Sequence, residues 1–263
     1  MDLTELKTLT FNSKSRHPWE RARMWIIIRM LTSWIRKDGK TNPTIFDIGC
    51  GDGYLSSHIA ASIPGSEVHA VDSAFTEERI QEIKNLAGGI SLSLYDKVEN
   101  IILLPEKKAD FVLLLDVIEH IEEDTGFLSS LAKNKHITKD TLIIITAPAY
   151  PCLFSSHDAF LKHYRRYSRK GLIRTISLSG YESLDSGYFF LILLFPRIIK
   201  LLFTRMNLAK SADTGIGQWN KGIVISWFLT AALIMDYFIC RIFLAAGITL
   251  PGLSVYSICK TAV

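Results

Sequence analysis

The sequence predicts an α/β protein: a mostly parallel sheet with helices on both faces, and an apolar helical insertion ahead of its last strand. Three observations carry that prediction. Short apolar runs alternate with helical-period segments from residue 44 to residue 179, the pattern of parallel strands joined by crossover helices. A glycine cluster separates the first such run from the helix after it. Two long apolar stretches, 188–203 and 222–248, precede a final strand-like run.

The elements follow in order. Behind a polar leader, Trp25, Ile28, Leu31 and Ile35 recur at helical spacing, so Trp19 to Lys37 is an expected amphipathic helix stopped by Asp38-Gly39. Thr44 to Ile48 is a first strand and Tyr54 to Ser62 a helix. Val68 to Val71 is a second strand, followed by a helix from Thr76 to Leu86. Ile90 to Leu94 is a third, and Phe111 to Leu115, apolar on both faces, a fourth. A helix from Asp124 to Lys133 leads to a fifth strand, Thr141 to Thr146, ended by Pro148. SSHDAFLKHYRRYSRK then reads as a polar, aromatic and basic loop, before a helix from Arg169 to Ser179 closed by Gly180. Tyr181 to Tyr188 is a sixth strand, and Leu253 to Lys260, beyond Pro251-Gly252, the last.

Composition narrows the class. Of 263 residues 48% are hydrophobic and 21% charged, which excludes disordered, collagenous and coiled-coil chains. Thirty basic residues against twenty-six acidic leave +4, too mild a balance to announce nucleic acid, and none is expected as a partner. The mean hydropathy of +0.21 signals apolar surface beyond the needs of a core. Cys50, Cys152, Cys240 and Cys259 are scattered, with no metal-knuckle spacing, and fit a reducing compartment. The N-terminus has no apolar core of a signal peptide, so a cytoplasmic location is expected.

The chemistry starts at IFDIGCGDGYLSSHIA, residues 45–60. Gly49, Gly51 and Gly53 allow a tight turn and a close approach of backbone to ligand at the positive end of a helix. A dinucleotide loop would need glycine at 54, where Tyr54 stands. The spacing found, D-x-G-x-G-x-G led by Asp47, resembles motif I of the class I S-adenosylmethionine-dependent methyltransferases. That resemblance implies a Rossmann-like seven-stranded sheet closed by antiparallel sixth and seventh strands, and S-adenosylmethionine as cofactor. It places Asp72, at the end of the second strand, on the ribose hydroxyls, Asp96 at the adenine amine, and Asp116 in LLLDVIEHIEE in motif IV. Each acid alone reads equally well as a cap or a turn residue. Their succession at strand C-termini is what favours a ligand edge.

RHPWERAR (16–23) and HDAFLKHYRRYSRKGL (157–172) resemble a bacterial branch of small-molecule methyltransferases whose leader helix folds over the cofactor. This puts His17, Trp19 and Arg23 near the methionine moiety; the plain alternative for Trp19 is a staple between helix and core. Methyl transfer aligns an acceptor about 3 Å from the methyl carbon, and a hydroxyl or amine acceptor needs a base. His120 and His157 are the catalytic candidates, because imidazole titrates near neutrality. Some relatives use E-x-x-E-H here, with a downstream histidine, to bind a divalent metal. Asp116 stands in place of the first glutamate, and a metal is not favoured. Arg165, Arg166, Arg169 and Lys170 suggest either an anionic head group or a solvated helix start.

The organisation expected is a leader and cofactor-covering helix over 1–43, a methyltransferase core over 44–187 and 253–263, and the apolar insertion over 188–252. Because the final strand must return to the sheet, the insertion crosses a bilayer an even number of times or not at all. Asp236 and Arg241 inside its second stretch would cost about 5–7 kcal/mol at a bilayer centre. A helix lying at the membrane interface, a greasy lid, or a homodimer contact is therefore expected. The reading is a cytoplasmic, peripherally membrane-associated methyltransferase acting on a small, apolar or lipid-linked acceptor. Its rivals are a nucleotide-sugar or nicotinamide enzyme, disfavoured by the glycine spacing, and a catalytically silent binding module acting through the insertion.

Overall fold

The computed structural model describes residues 16–87, 91–97, 107–206, 219 and 222–262. Residues 1–15 of the leader and Ile90 lie outside them. Among the described residues the strands are β1 (Thr44–Ile48), β2 (Glu67–Val71), β3 (Leu92–Tyr95), β4 (Phe111–Leu115), β5 (Leu142–Pro148), β6 (Tyr181–Phe189) and β7 (Ser254–Thr261). They form one seven-stranded sheet in the order β3-β2-β1-β4-β5-β7-β6. The first five are parallel; β7 inserts antiparallel between β5 and β6. The helices are α1 (Pro18–Lys37), α2 (Tyr54–Ser62), α3 (Glu77–Ala87), α4 (Asp124–Ala132), α5 (Ser156–Phe160), α6 (Arg169–Leu178), α7 (Leu191–Arg205) and α8 (Ile223–Ala245).

The central strands are apolar on both sides because both sides are covered. On β4, Phe111, Leu113 and Leu115 join Ile26, Ile27 and Leu31 of α1 in one core. Val112 and Leu114 face the other way, against Leu128 of α4 and Leu172 and Ile176 of α6. Each such side chain contributes about 1.5–3 kcal/mol when fully buried. Register makes the C-terminal edge level: Ile48 sits opposite both Val71 and Leu114, Val71 opposite Tyr95, and Leu115 opposite Thr146. Asp72, Asp96 and Asp116, each one residue past a strand, therefore emerge along a single edge.

Two local differences from the sequence reading have clear causes. The HDAF segment is not all loop, because Ser155 and Asp158 form a capping box that starts α5. The HPWE leader is itself a helix start: His17 caps α1, Pro18 occupies its first turn, and the Glu20 carboxylate accepts from the His17 N–H at 3.0 Å. Burial pushes His17 down to about 4, so its ring is a neutral acceptor at physiological pH.

Candidate active site

The turn after β1 holds three left-handed glycines, Gly49, Gly51 and Gly53, at φ +73°, +61° and +73°. At Gly49 the requirement is spatial as well as conformational, since a Cβ there would lie 2.6 Å from Val117 Cγ2. The Gly49 and Cys50 N–H groups both donate to the Val71 carbonyl, at 2.8 and 3.1 Å, which ties the turn to the tip of β2. Gly51 N–H donates to Asp72 Oδ2 at 2.8 Å and Ala74 N–H to Oδ1 at 2.9 Å. A carboxylate has about four acceptor sites, so Asp72 keeps capacity for ribose hydroxyls. Asp96 follows β3 on the same edge, half-buried.

Beside this turn a cleft open to solvent is lined by Trp19, Glu20 and Arg23 of α1, by Asp47 and Leu115 from the strands, and by Gly49, Cys50, Asp52, Tyr54 and Arg16 among others. Trp19 lines the cleft and packs partly buried against the core. Asp47 is buried and accepts from Ser56 Oγ at 2.5 Å; burial pushes its carboxyl up to about 6. Arg16 pairs with Asp52 and with Glu20, and its guanidinium lies over the Tyr54 ring. The buried Tyr54 hydroxyl has no hydrogen-bond partner. A cleft with both charge signs, an apolar wall and an orphaned donor fits a zwitterionic nucleoside cofactor. Asp47, Gly49 and Trp19 would line its amino-acid end, and Asp72 and Asp96 its sugar and base. When bound, S-adenosylmethionine supplies an electrophilic methyl on a sulfonium.

Asp116 stands apart from that cleft's lining. It is a non-glycine residue at φ +58°, and its carboxylate takes Arg23 at 2.7 Å and the Thr146 hydroxyl at 2.9 Å. Burial alone would raise its pKa, but Arg23 beside it wins and holds it low. Tyr150, past β5, is also left-handed at φ +61° and stacks on Tyr188 at 5.1 Å. Strain at two successive strand ends marks the same edge as the acids do.

Beyond Asp116, a 3-10 turn over Ile118–His120 carries the histidine candidate. His120 meets His163 edge to face at 4.5 Å. Glu119 is fully buried, neither carboxyl oxygen has a partner, and burial with Asp116 nearby raises its pKa far above the carboxylate range. Ligand atoms of Glu119, His120 and His163 all fall within 4.8 Å of one another. His157 lies on α5, half-buried, and its pKa is lowered by burial and by Arg197.

The organiser of this loop, Asp158, escapes a sequence reading. It is buried and its two oxygens take His163, Arg166, Arg197 and the Ser155 backbone and hydroxyl. The basic set is absorbed the same way. Arg166 also donates to the Ala149 carbonyl, Arg165 pairs with Asp124, and Arg169 donates to Ser186, which leaves Lys170 exposed. An anionic head-group site on those arginines is not built.

Fold and site together fit an α/β enzyme architecture for a nucleoside-type donor. The comparisons make the class specific. A family model described as "Methyltransferase domain" matches residues 21–184, and the chain belongs to that family, the class I S-adenosylmethionine-dependent methyltransferases. Among curated proteins it is similar to a ubiquinone biosynthesis O-methyltransferase of Proteus mirabilis, 29% identical over 99 residues, 37% of this chain and 40% of that one. It is also similar to the corresponding protein of Rickettsia canadensis, 30% identical over 125 residues, 47% and 50% of the two chains. The matched stretch thus spans half or less of those relatives' length. The plantazolicin methyltransferase BamL, solved with a substrate analogue and SAH, shares the fold at TM-score 0.54 and 14% identity over 92% of this chain and 86% of that one. Coclaurine N-methyltransferase shares it at TM-score 0.50 and 15% identity over 89% and 70%.

Proposed function

We propose that this protein methylates an oxygen or nitrogen of a small, apolar or lipid-linked acceptor, with S-adenosylmethionine as donor and His120 and His157 as candidate bases. One observation carries the reading: a cleft beside the Gly49 turn shares its sheet edge with a loop that brings His120 against His163 and holds the latter on Asp158. The names of the curated relatives favour oxygen over nitrogen. In the step inferred, the acceptor's proton passes to a neutral histidine as the new bond to carbon forms, and His157, kept neutral by burial, suits that role. A purely base-assisted reaction is preferred to a metal-assisted one, because Asp116, which would complete a ligand set with Glu119, His120 and His163, is already held by Arg23 and Thr146. We place the protein in the cytoplasm, with residues 188–252 as its membrane or dimer contact.

The test uses the purified chain, methyl-labelled donor and a bacterial lipid extract. Label should enter an extractable small molecule, persist in EDTA, and fall about 10²–10⁴-fold in His157→Ala while calorimetric affinity for SAH is retained. A folded protein that binds SAH yet labels nothing would favour the silent binding module.

A further inference from the structure

The insertion helices turn large apolar side chains outward, and α8 turns a set of polar ones inward. A surface helix of a globular protein ordinarily turns its apolar stripe to the core and its polar face to water. On α8 the buried positions include Ser226, Thr230, Asp236 and Tyr237, while Val224, Phe228 and Ile242 are 78%, 72% and 68% exposed. α7 continues the pattern with Phe195, Ile199 and Leu202 exposed. These residues form a far larger run of exposed apolar side chains than scattered surface hydrophobics explain.

The two charges that argued against a bilayer do not face outward. Asp236 is buried and accepts from the Leu191 N–H at 2.8 Å, capping α7. Arg241 reaches back to the sheet, pairing with Asp185 at 2.6 Å and donating to the Tyr256 hydroxyl. Asp236 is thus already out of water, and Arg241, its side chain 39% exposed, is neutralised by its partner on the sheet. The inner face of α8 is equally committed: Leu233 and Tyr237 are buried in one core with Ile26 and Ile27 of α1, and the Thr230 hydroxyl donates to the Pro18 carbonyl at 3.5 Å. A spanning orientation would drag α1 and the sheet edge into hydrocarbon, so α8, about 34 Å long, must lie in the plane of a surface.

Charge selects the occupant. α1, α7 and α8 contain two acids between them, Glu20 and Asp236, and both are buried. Among the described side chains, their exposed charged residues are Arg29, Arg36, Lys37 and Lys200, all cations, and Arg29 lies near Tyr237 of α8. A two-fold contact between copies would set this cationic set against itself with no acid on these helices to answer it. An anionic bilayer answers it directly, at about 1 kcal/mol per basic residue near the surface. We propose that α7 and α8 dock this protein, in plane, on an anionic lipid bilayer. This deepens the peripheral reading of residues 188–252 and holds whether or not the acceptor assignment does.

The experiment is vesicle flotation of the full chain with phosphatidylcholine alone and with added phosphatidylglycerol, beside sedimentation without lipid and SAH calorimetry. The wild type should float with the anionic vesicles and release as salt rises. Phe228→Glu with Ile242→Glu should weaken flotation roughly tenfold or more, and Arg29→Glu with Lys37→Glu should remove the preference for phosphatidylglycerol. SAH affinity should be unchanged in both. Wild type that stays unbound, variants that float normally, or a lipid-free dimer broken by Phe228→Glu would each overturn the proposal. Loss of SAH binding with flotation intact would instead count against the cofactor site alone.

Discussion

The Gly49 turn can be interrogated with a double-mutant cycle, because its two demands on the residue are separable. Gly49→Ala places a methyl 2.6 Å from Val117 Cγ2, where carbon atoms normally stay about 3.5–4.0 Å apart. Val117 cannot swing away as a flexible chain end would. It is β-branched, follows Asp116, which Arg23 and Thr146 clamp, and leads into the Ile118–His120 turn. Overpacking of this kind costs about 1–3 kcal/mol, and forcing an L-residue to the left-handed φ of +73° adds about 1–2. Gly49→Ala should therefore lose about 2–5 kcal/mol in urea unfolding. Val117→Ala removes the clashing methyl. In its background Gly49→Ala should cost only the conformational share, a coupling of about 1–3 kcal/mol. SAH calorimetry supplies the functional half: Gly49→Ala should weaken binding, and the double variant should recover part of it. Coupling within about 0.5 kcal/mol of zero would refute the close approach of turn and β4 tip.

Two further predictions concern buried acids. Asp47, raised to about 6, makes the ligand-free protein more stable at acidic pH, and that contribution fades as pH rises through about 6. A bound cation would hold Asp47 ionised, so donor affinity should climb between pH 5 and 7 in about the range set by that carboxyl, and Asp47→Asn should flatten the climb; calorimetry across pH reads both. Asp158 behaves oppositely: burial would raise it, but His163, Arg166 and Arg197 hold it well below its usual value of 3.8, so its stabilisation is full above that value and is lost as pH falls. Asp158→Asn removes the anion from the buried Arg166 and the half-buried Arg197 and should cost about 3–5 kcal/mol in urea unfolding at neutral pH; a loss under about 1 would deny Asp158 its organising role.

How far the sequence speaks depends on whether a signal is local. Tyr54–Ser62 and Phe111–Leu115 were readable to the residue, one because glycines punctuate its start, the other because five consecutive apolar residues admit only a strand buried on both sides. The strand-tip acids were legible because alternation of strand and helix fixes which ends share an edge. Partners distant in sequence were not. Nothing local says that Arg16 closes on Asp52, that Arg23 reaches Asp116, or that Asp158 gathers arginines eight and thirty-nine residues away. The left-handed Asp116 and Tyr150 gave no warning either, since neither is a glycine. The Glu119 signal was half visible: its spacing beside His120 could be seen, but its burial without a partner could not.

The insertion shows why periodicity alone misjudges a helix. Helical spacing gathers Ser226, Thr230, Asp236 and Tyr237 on one side of α8, the side that a surface helix ordinarily turns to water. The fold turns it inward, because those polar groups have work there: Asp236 caps α7, Thr230 lies against α1, and Arg241 binds the β6–β7 edge. Charges that would have priced the helix out of lipid are thus the bolts that fasten it to the protein. The same wiring runs onward, since Arg197 of α7 donates to Asp158 at 2.9 Å and Asp158 takes His163 at 3.3 Å. The apolar face and the histidine loop are therefore two ends of one ion-paired chain of side chains.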